Sequence, residues 1–372
     1  MSAGLAALRL PGWAEYGLLP VLNLAVALLV SGLVVFIIGY DPFAAMGHLV
    51  YGAFGYGEAV GYTLYYATNF IFTGLAVSIA FHAGLFNIGA EGQAAMGGLG
   101  MALIALYFPH LPGLVLLPLT LLAGAAFGAA WAAVPAYLQA RRGSHVVITT
   151  IMFNFIAAAI VTYLVAGPLK RPDSQAPETA DFAAGTLIPQ LHEVARALGV
   201  GMASSPANLS LFIALACAGL MAVVLSRTRS GYELRVVGKN PAAAGYAGIS
   251  LTRVIMLAML VSGAFAGLMA ANELLGVQHR LLGNFTAGFG FVGIAVAFMG
   301  RNQPVGICLA ALLFGALYQG GTEMAFEMPK VTRDLMVLVQ GLVVLFAGAL
   351  EHMFRPHLHA FFHWRAKWRE AA

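Results

Sequence analysis

Charge is what this chain has least of. Asp, Glu, Lys and Arg together make up 9% of its 372 residues, against roughly 25% in a soluble domain. So sparse a set cannot cover a water-facing surface, which excludes an ordinary soluble fold for most of the chain. Cysteine is nearly absent too. Cys217 and Cys308 each lie inside an apolar run, without the Cys or His spacing that zinc requires. No disulfide framework is implied, and both read as small buried hydrophobes. Catalytic signatures are missing as well. Gly238-Lys239-Asn240 lacks the following Ser or Thr and the upstream glycine of a phosphate-binding loop. The sequence has no His-Glu-x-x-His and no Gly-x-Ser-x-Gly elbow. The expectation is a chain with no ATPase or peptidase chemistry, no metal and no cofactor of its own.

What fills the space is apolar. Hydrophobic residues make up 60% of the sequence and the mean hydropathy is +0.85. Runs of about 20 such residues cross a bilayer as helices. The expected fold is an all-α integral membrane protein with about ten spans, near 18–38, 61–82, 93–107, 113–138, 146–166, 208–225, 254–275, 288–300, 305–320 and 332–350. The eighth and ninth are short and are separated by Arg301-Asn302-Gln303-Pro304, so a re-entrant pair is the alternative to two crossings. Leu18 to Ile38 is too long for a cleavable signal and has no cleavage site after it, so it reads as the first retained span.

Orientation follows from Lys and Arg, which favour cytoplasmic loops. With the N-terminus inside, the inner segments hold 13 of these residues and the outer segments 6, which accounts for all 19. Both termini are therefore expected in the cytoplasm, and the pI of about 9.1 reflects this bias rather than nucleic-acid binding. The domain reading is a cytoplasmic segment 1–17, a membrane domain 18–350 and a cytoplasmic tail 351–372. Within the membrane domain, 226–253 is a cytoplasmic loop and 167–207 the longest outer loop. Leu191, Val194, Ala195 and Leu198 recur at helical spacing in that outer loop and predict a short amphipathic helix on the interface, either a docking ledge or a plain spacer. Segment 39–60, rich in Gly and Tyr, reads as an outer connection. In the tail, Trp364 and Trp368 interleave with Arg365, Lys367 and Arg369, as in a basic helix lying on membrane lipid. The tail histidines have no carboxylate or Cys nearby to complete a metal site.

Four motifs stand out. The first is the loop Gly231 to Ile249, which includes Arg235 and Lys239. Asn240 suits an N-cap, Pro241 the first helical position, Ala242, Ala243 and Ala244 a helix interior, and Gly248 the residue that closes it. A short capped helix between two spans reads as a handle for another protein; a solvated loop is the bland alternative. The second is Phe86-Asn87-Ile88-Gly89-Ala90-Glu91-Gly92-Gln93. An ionised carboxylate at a helix centre costs roughly 2.5–3.5 kcal/mol, so Glu91 needs water, a partner or a helix N-terminus. Asn87, Glu91 and Gln93 form either a polar turn beside a translocation path or a packing knot satisfied internally. The third is Thr149, Thr150 and Asn154 in an otherwise apolar span, with Thr150 and Asn154 on one face. They line a cavity or, for the threonines, bond their own helix. The fourth is Gly288 to Arg301, where Phe289 and Phe291 either stack on a flat ligand or pack between helices.

Together these segments resemble the membrane permease subunits of bacterial ABC importers, in the family for simple sugars, nucleosides and branched-chain amino acids. The residues that carry it are Gly84 to Gln93, Ile148 to Asn154, Gly238 to Ile249 and Gly288 to Arg301. The Gly39-Tyr40-Asp41-Pro42-Phe43 to Gly52-Ala53-Phe54-Gly55 stretch is similar to the longer permease of nucleoside importers. One departure is that His145-Val146 stand where similar permeases carry Asn-Glu. The resemblance implies residence in the bacterial cytoplasmic (inner) membrane and three partners: a cytoplasmic ABC ATPase that uses ATP and Mg, a second homologous permease, and an extracytoplasmic substrate-binding lipoprotein. It implies ATPase coupling through Arg235, Gly238, Asn240, Pro241, Ala243, Ala244 and Gly248. The substrate path is expected at Asn87, Glu91, Gln93, Thr150, Asn154, Phe289 and Phe291. A rival from another class is a proton-coupled secondary transporter that titrates Glu91, His82 and His145. An intramembrane enzyme or scaffold is a further rival, with no nucleophile–base pair to carry it.

Overall fold

The structure, a computed structural model, describes residues 18–328 and the single positions 338, 341 and 342. The expected segment 1–17, the span 332–350 (apart from those three positions) and the tail 351–372 lie outside the described residues. Every regular element described is a helix: α1 Leu19–Ile37, α2 Pro42–Phe54, α3 Gly57–His82, α4 Ala90–Tyr107, α5 Gly113–Arg142, α6 Val146–Ala166, α7 Leu191–Ala197, α8 Ser210–Arg227, α9 Arg229–Lys239, α10 Pro241–Tyr246, α11 Leu251–Ala270, α12 Phe289–Met299 and α13 Pro304–Glu327. A π-helical turn, Ala271–Gln278, extends α11. The described residues divide into two compact units, 53–319 and the flanking stretches 18–52 with 320–328.

Among the described residues six helices are long and apolar enough to cross a membrane, or seven if a bent pair counts as one span, so the expected ten is not reached. The differences have physical causes. Helix α1 does not end in a plain outer connection. Leu29–Ile37 and Pro42–Phe54 meet at 116°, and the second arm is a helix inside the segment expected to be only a Gly- and Tyr-rich linker. Helix α12 has 11 residues, about 16 Å at 1.5 Å per residue, half the hydrocarbon thickness. Helix α4 is diluted by Glu91, Gln93 and four glycines, so its 18 residues are less apolar than the spans that count; burial is not the reason, since α3 is more buried and counts.

Unit 53–319 is built around α3, 18 of whose 26 residues are buried. Helix α12 runs beside it in the same direction. Phe289 meets Phe70 at 5.7 Å between ring centres and Phe298 meets Phe81 at 5.1 Å. The chain then reverses through Arg301 and Asn302, both with positive φ. It returns along α3 in α13, where Phe314 packs on Phe70 and Tyr318 on Tyr66. The alternative between two crossings and a re-entrant pair thus resolves as a half-length helix followed by a full-length one.

Helices α4, α5 and α11 meet on a seam of glycines. A β-carbon on Gly97 would strike the Gly267 backbone, one on Gly267 would strike the Gly124 carbonyl, and one on Gly128 the Gly263 carbonyl. Gly124 and Gly128 are four apart, as are Gly263 and Gly267, the small-residue spacing by which membrane helices approach backbone to backbone. In lipid such contact replaces the hydrophobic drive that assembles water-soluble bundles.

The two long connections sit at opposite ends of α3. A β-carbon on Gly61 would strike Ser205, and one on Gly57 would touch Ala203. At the other end Gly238 abuts His82 and Gly84. The first connection is sewn to the end of α11. Phe182 N–H donates to His279 O at 2.8 Å and Ile188 N–H to Leu275 O at 2.9 Å, while Arg280 pairs with Glu178 and Asp181, each at 3.2 Å. Helix α7 forms where expected, capped by Gln190 N–H donating to Glu193 Oε2 at 3.1 Å. Its polarity is not the expected one. His192 is buried against the Ser205 N–H, while Leu198 is 76% exposed.

Gly267→Val should lower the thermal midpoint of the detergent-purified protein, since overpacking costs about 1–3 kcal/mol. Gly219→Val, on a surface with nothing within 4 Å, should leave it unchanged. Equal midpoints for the two variants would remove the glycine seam from the account.

Candidate functional site

After His82 the backbone unwinds. Residues 85–88 carry no helix before α4 begins, and side chains from three helices bond this stretch. Asn87 Oδ1 accepts from Gly89 N–H at 2.8 Å, and its Nδ2 donates to Ser262 Oγ at 2.8 Å and to Gln93 Oε1 at 3.0 Å. Asn154, reaching across from α6, donates through Nδ2 to Ile88 O and accepts at Oδ1 from Gly92 N–H, each at 2.9 Å. Gly92 N–H is one of the first-turn donors with no partner inside its own helix, so Asn154 caps α4 from another span. Thr150 Oγ1 donates to Val146 O at 2.8 Å and Thr149 Oγ1 also to Val146 O at 3.0 Å. Both threonines bond their own helix.

Glu91 resolves its cost in the same manner. Its Oε1 accepts from Gly288 N–H at 2.9 Å and its Oε2 from Gly290 N–H at 2.7 Å. The carboxylate therefore caps α12 and sits on the positive end of that helix dipole. A helix N-terminus was among the expected remedies, and Glu91 has two: it stands in the first turn of its own helix α4 and caps α12. The chain enters the crossing from two directions, through 83–89 and through 279–288, and Glu91 is the clasp between them.

The aromatic residues separate. Phe289 is buried, with Tyr66 at 6.1 Å, Phe70 at 5.7 Å and Tyr318 at 6.0 Å. Phe291 points elsewhere and is 47% exposed. The residues of the rival proton route are dispersed among structural tasks: His82 Nε2 lies 2.9 Å from Asn302 O, Glu91 clasps α12, and His145 occupies the exposed N-cap position of α6.

A second polar cluster was not anticipated. Glu273, on the π-helical turn, is nearly wholly buried. Asn69 Nδ2 donates to its Oε1 at 2.5 Å and Gln278 Nε2 to its Oε2 at 3.1 Å, and the Tyr65 hydroxyl bonds the same carboxylate. Asn69 Oδ1 accepts from Asn272 Nδ2 at 2.8 Å, and Asn272 Oδ1 from Asn208 Nδ2 at 2.9 Å. Asn69 is the thirteenth of the 26 residues of α3, so the cluster lies at its midpoint. The expected span 254–275 ran through this pair of polar residues. An Asn-Glu dipeptide in an apolar run was the available signal, because such residues are expensive in lipid and face the bundle interior.

The handle has both expected ends. Asn240 Oδ1 accepts from Ala243 N–H at 3.0 Å, capping α10, and Pro241 takes the first helical position. Gly248 has φ +75°. Its N–H donates to Gly245 O at 3.0 Å and the Ile249 N–H to Ala244 O at 3.0 Å, the paired bonds of a Schellman closure. The preceding helix α9 was not expected. It is capped by Thr228, whose Oγ1 accepts from Gly231 N–H at 3.1 Å, and it includes the half-buried Arg235. Its last turn places Gly238 so close to the His82 carbonyl that no side chain fits between them. The two groups of expected site residues are therefore joined: the handle touches the turn from which the unwound segment starts.

Asn154→Leu should destabilise the protein by about 2–6 kcal/mol, since it strands the Gly92 N–H and the Ile88 carbonyl, each costing roughly 1–3 kcal/mol. Thr150→Val should shift the thermal midpoint far less, because that hydroxyl bonds only its own helix. The reverse order would show that the unwound segment is held by something else.

No solved structure gives a significant match. A protein-family profile described as branched-chain amino acid transport system / permease component matches residues 59–348. Among curated relatives, the glucose ABC transporter permease protein TsgB13 of Haloferax volcanii is 36% identical over 342 residues, covering 90% of this chain and 88% of the relative. The guanosine ABC transporter permease protein NupP of Bacillus subtilis is 35% identical over 336 residues, 89% of this chain and 93% of the relative. The nucleoside ABC transporter permease protein NupB of Lactococcus lactis subsp. cremoris is 32% identical over 333 residues, 88% and 90% of the two chains. With the family profile spanning the whole of the crossing and the handle, this multi-pass membrane chain belongs to the permease-component family of ABC transport systems.

Proposed function

We propose that this permease passes a nucleoside inward by alternating access, driven by a separate ATPase that grips α10. The reading rests above all on one contact, the seat of Gly238 on the His82–Gly84 turn. Force on the handle reaches the unwound segment 83–89 directly, and through Glu91 it reaches α12. Arg235, Asn240, Pro241, Ala243, Ala244 and Gly248 shape and present the handle. Asn87, Glu91, Gln93, Thr150, Asn154, Phe289 and Phe291 belong to the moving crossing that borders the path.

The substrate class follows from two sources. Relatives named for guanosine and for nucleosides cover most of the chain, and the rings of Tyr66, Phe70, Phe289 and Tyr318 gather beside the Glu273 cluster, a chemistry suited to a flat base on a hydroxyl-bearing sugar. A second reading, a simple sugar, is favoured by the relative named for glucose. The assembly we infer has a second homologous permease, an extracytoplasmic substrate-binding lipoprotein and an ATP- and Mg-using ATPase, in the inner membrane with both termini of this chain in the cytoplasm.

Two measurements test it on the complete complex in proteoliposomes. Gly238→Glu should cut ATP-dependent uptake of labelled guanosine by at least about tenfold, a change of about 1.4 kcal/mol, since any β-carbon there strikes the His82 carbonyl and forces the turn to shift. ATP hydrolysis should continue. Undiminished uptake would remove the handle from the mechanism. Guanosine uptake that excess unlabelled glucose suppresses, and excess adenosine does not, would transfer the assignment to the sugar reading.

A further inference from the structure

A cleft of about 320 Å³ opens between α8 and α11. Ile79 of α3 lies at its floor, Met221 and Val224 of α8 form one wall, and Val261 and Phe265 of α11 form the other. Thr228, Ser230 and Leu234 close the end beneath α9. Leu220, on its rim, is 58% exposed, so the cleft faces the surroundings of the bundle rather than its core. Phe265 lies 14 residues beyond Leu251 at the start of α11. That is about 21 Å of helix rise, enough to reach through one leaflet of a hydrocarbon core about 30 Å thick.

The cleft is apolar along its length and polar at one end. Ser230 supplies a hydroxyl there, while the Thr228 hydroxyl is engaged with Val224 O and Gly231 N–H, and Arg227 and Arg229 flank them, both exposed. Arg229 Nε pairs with Glu233 at 2.8 Å, which holds the guanidinium at the first turn of α9, the positive end of that helix. Arg253 starts α11 at the same end. Three cations against one carboxylate leave a net charge of +2. Hydrocarbon walls that end in a cationic, hydroxyl-bearing mouth match an anionic amphiphile. The volume equals roughly ten water-sized elements of ~30 Å³, which suits one hydrocarbon chain. A helix is 10–12 Å across and does not fit. A second copy of this chain would also bring the same arginines against these.

We propose that this cleft binds one anionic phospholipid, with an acyl chain between α8 and α11 and the phosphate on Arg227 and Arg229. The site differs from the polar crossing and from the seat of the handle. It lies at the joint Thr228, extended in backbone at φ −111° and ψ 155°, where the last turn of α8 passes into α9. A lipid held there braces the joint between a span and the handle.

The test uses the full-length protein in its complex, taken from nanodiscs of equal phosphatidylglycerol and phosphatidylcholine and weighed by native mass spectrometry. One phosphatidylglycerol should be retained in preference to phosphatidylcholine. R227Q and R229Q, at exposed positions that leave the fold intact, should each weaken that retention about fivefold, the contribution of one arginine near an anionic surface. V261F, which fills the cleft, should reduce retention of either lipid with the arginines still in place. Equal retention of the two lipids, retention indifferent to R227Q and R229Q, or a photo-crosslinker at Leu220 that captures a second copy of the chain instead of lipid would each overturn the proposal.

Discussion

Unwound backbone inside a membrane protein has no water to bond, and this chain is organised around supplying the substitute. Each unpaired peptide group costs several kcal/mol in hydrocarbon. Segment 83–89 is tolerated because Asn87 and Asn154 bond its N–H and C=O groups and those of the first turn of α4. The same device recurs at the next break, where Glu91 takes two N–H groups at the start of α12. Were these side chains apolar, the N–H and C=O groups they bond would be stranded inside the bundle. The half-length of α12 and the buried, glycine-rich character of α4 follow from this arrangement.

The second cluster obeys the same rule at a different depth. Three donors converge on the Glu273 carboxylate, and behind Asn69 the amides of Asn272 and Asn208 are aligned so that each donates toward it. Such a chain polarises in one direction and strengthens the last bond. The π-helical turn that presents Glu273 is a frequent mark of functional positions. Its neighbours on α3, Tyr65 and Tyr66, lead into the rings around Phe289. The bundle thus holds a carboxylate beside an aromatic group at mid-depth, where α4 and α11 meet through glycine seams and leave little room for adjustment.

Much of this was legible in the sequence, for identifiable reasons. Capping signals are local, so Asn240, Pro241 and Gly248 revealed α10 and its closure. Apolar runs revealed α3, α5, α6, α8 and α11 because each is continuous over a membrane-spanning length, whether it faces outward as α5, α6 and α8 do or is buried as α3 is. The misses share one cause: they depend on partners far apart in sequence. Helix α4 forms where the span 93–107 was expected, but its burial among other helices depends on partners that the sequence does not show. Glu91 finds its dipole on α12, 197 residues along the chain. Helix α9 has few apolar residues and is stabilised by packing Leu234 and Val237 inward, which no hydropathy window detects. Helix α7 carried a pattern that pointed outward, yet His192 is held inside by the Ser205 segment.

The handle and the crossing are close enough to act as one mechanical element. Between Gly238 and Glu91 stand only the turn at His82–Gly84 and the short stretch 85–90. That stretch lacks helical stiffness of its own but is bonded at Asn87, Ile88 and Gly89. A displacement at Gly238 cannot be absorbed by compressing the contact, since backbone meets backbone there. In the proposed coupling it moves the turn, and with it the hydrogen-bonded stretch beyond. His82 and Ser78 tie the same region to the carbonyl of Asn302, at the far end of α12 from Glu91. Both ends of α12 are therefore anchored close to the seat of Gly238, one through Glu91 and the other through Ser78 and His82. In the coupling proposed above, a short helix held at two points is what carries a push on α10 into the bundle.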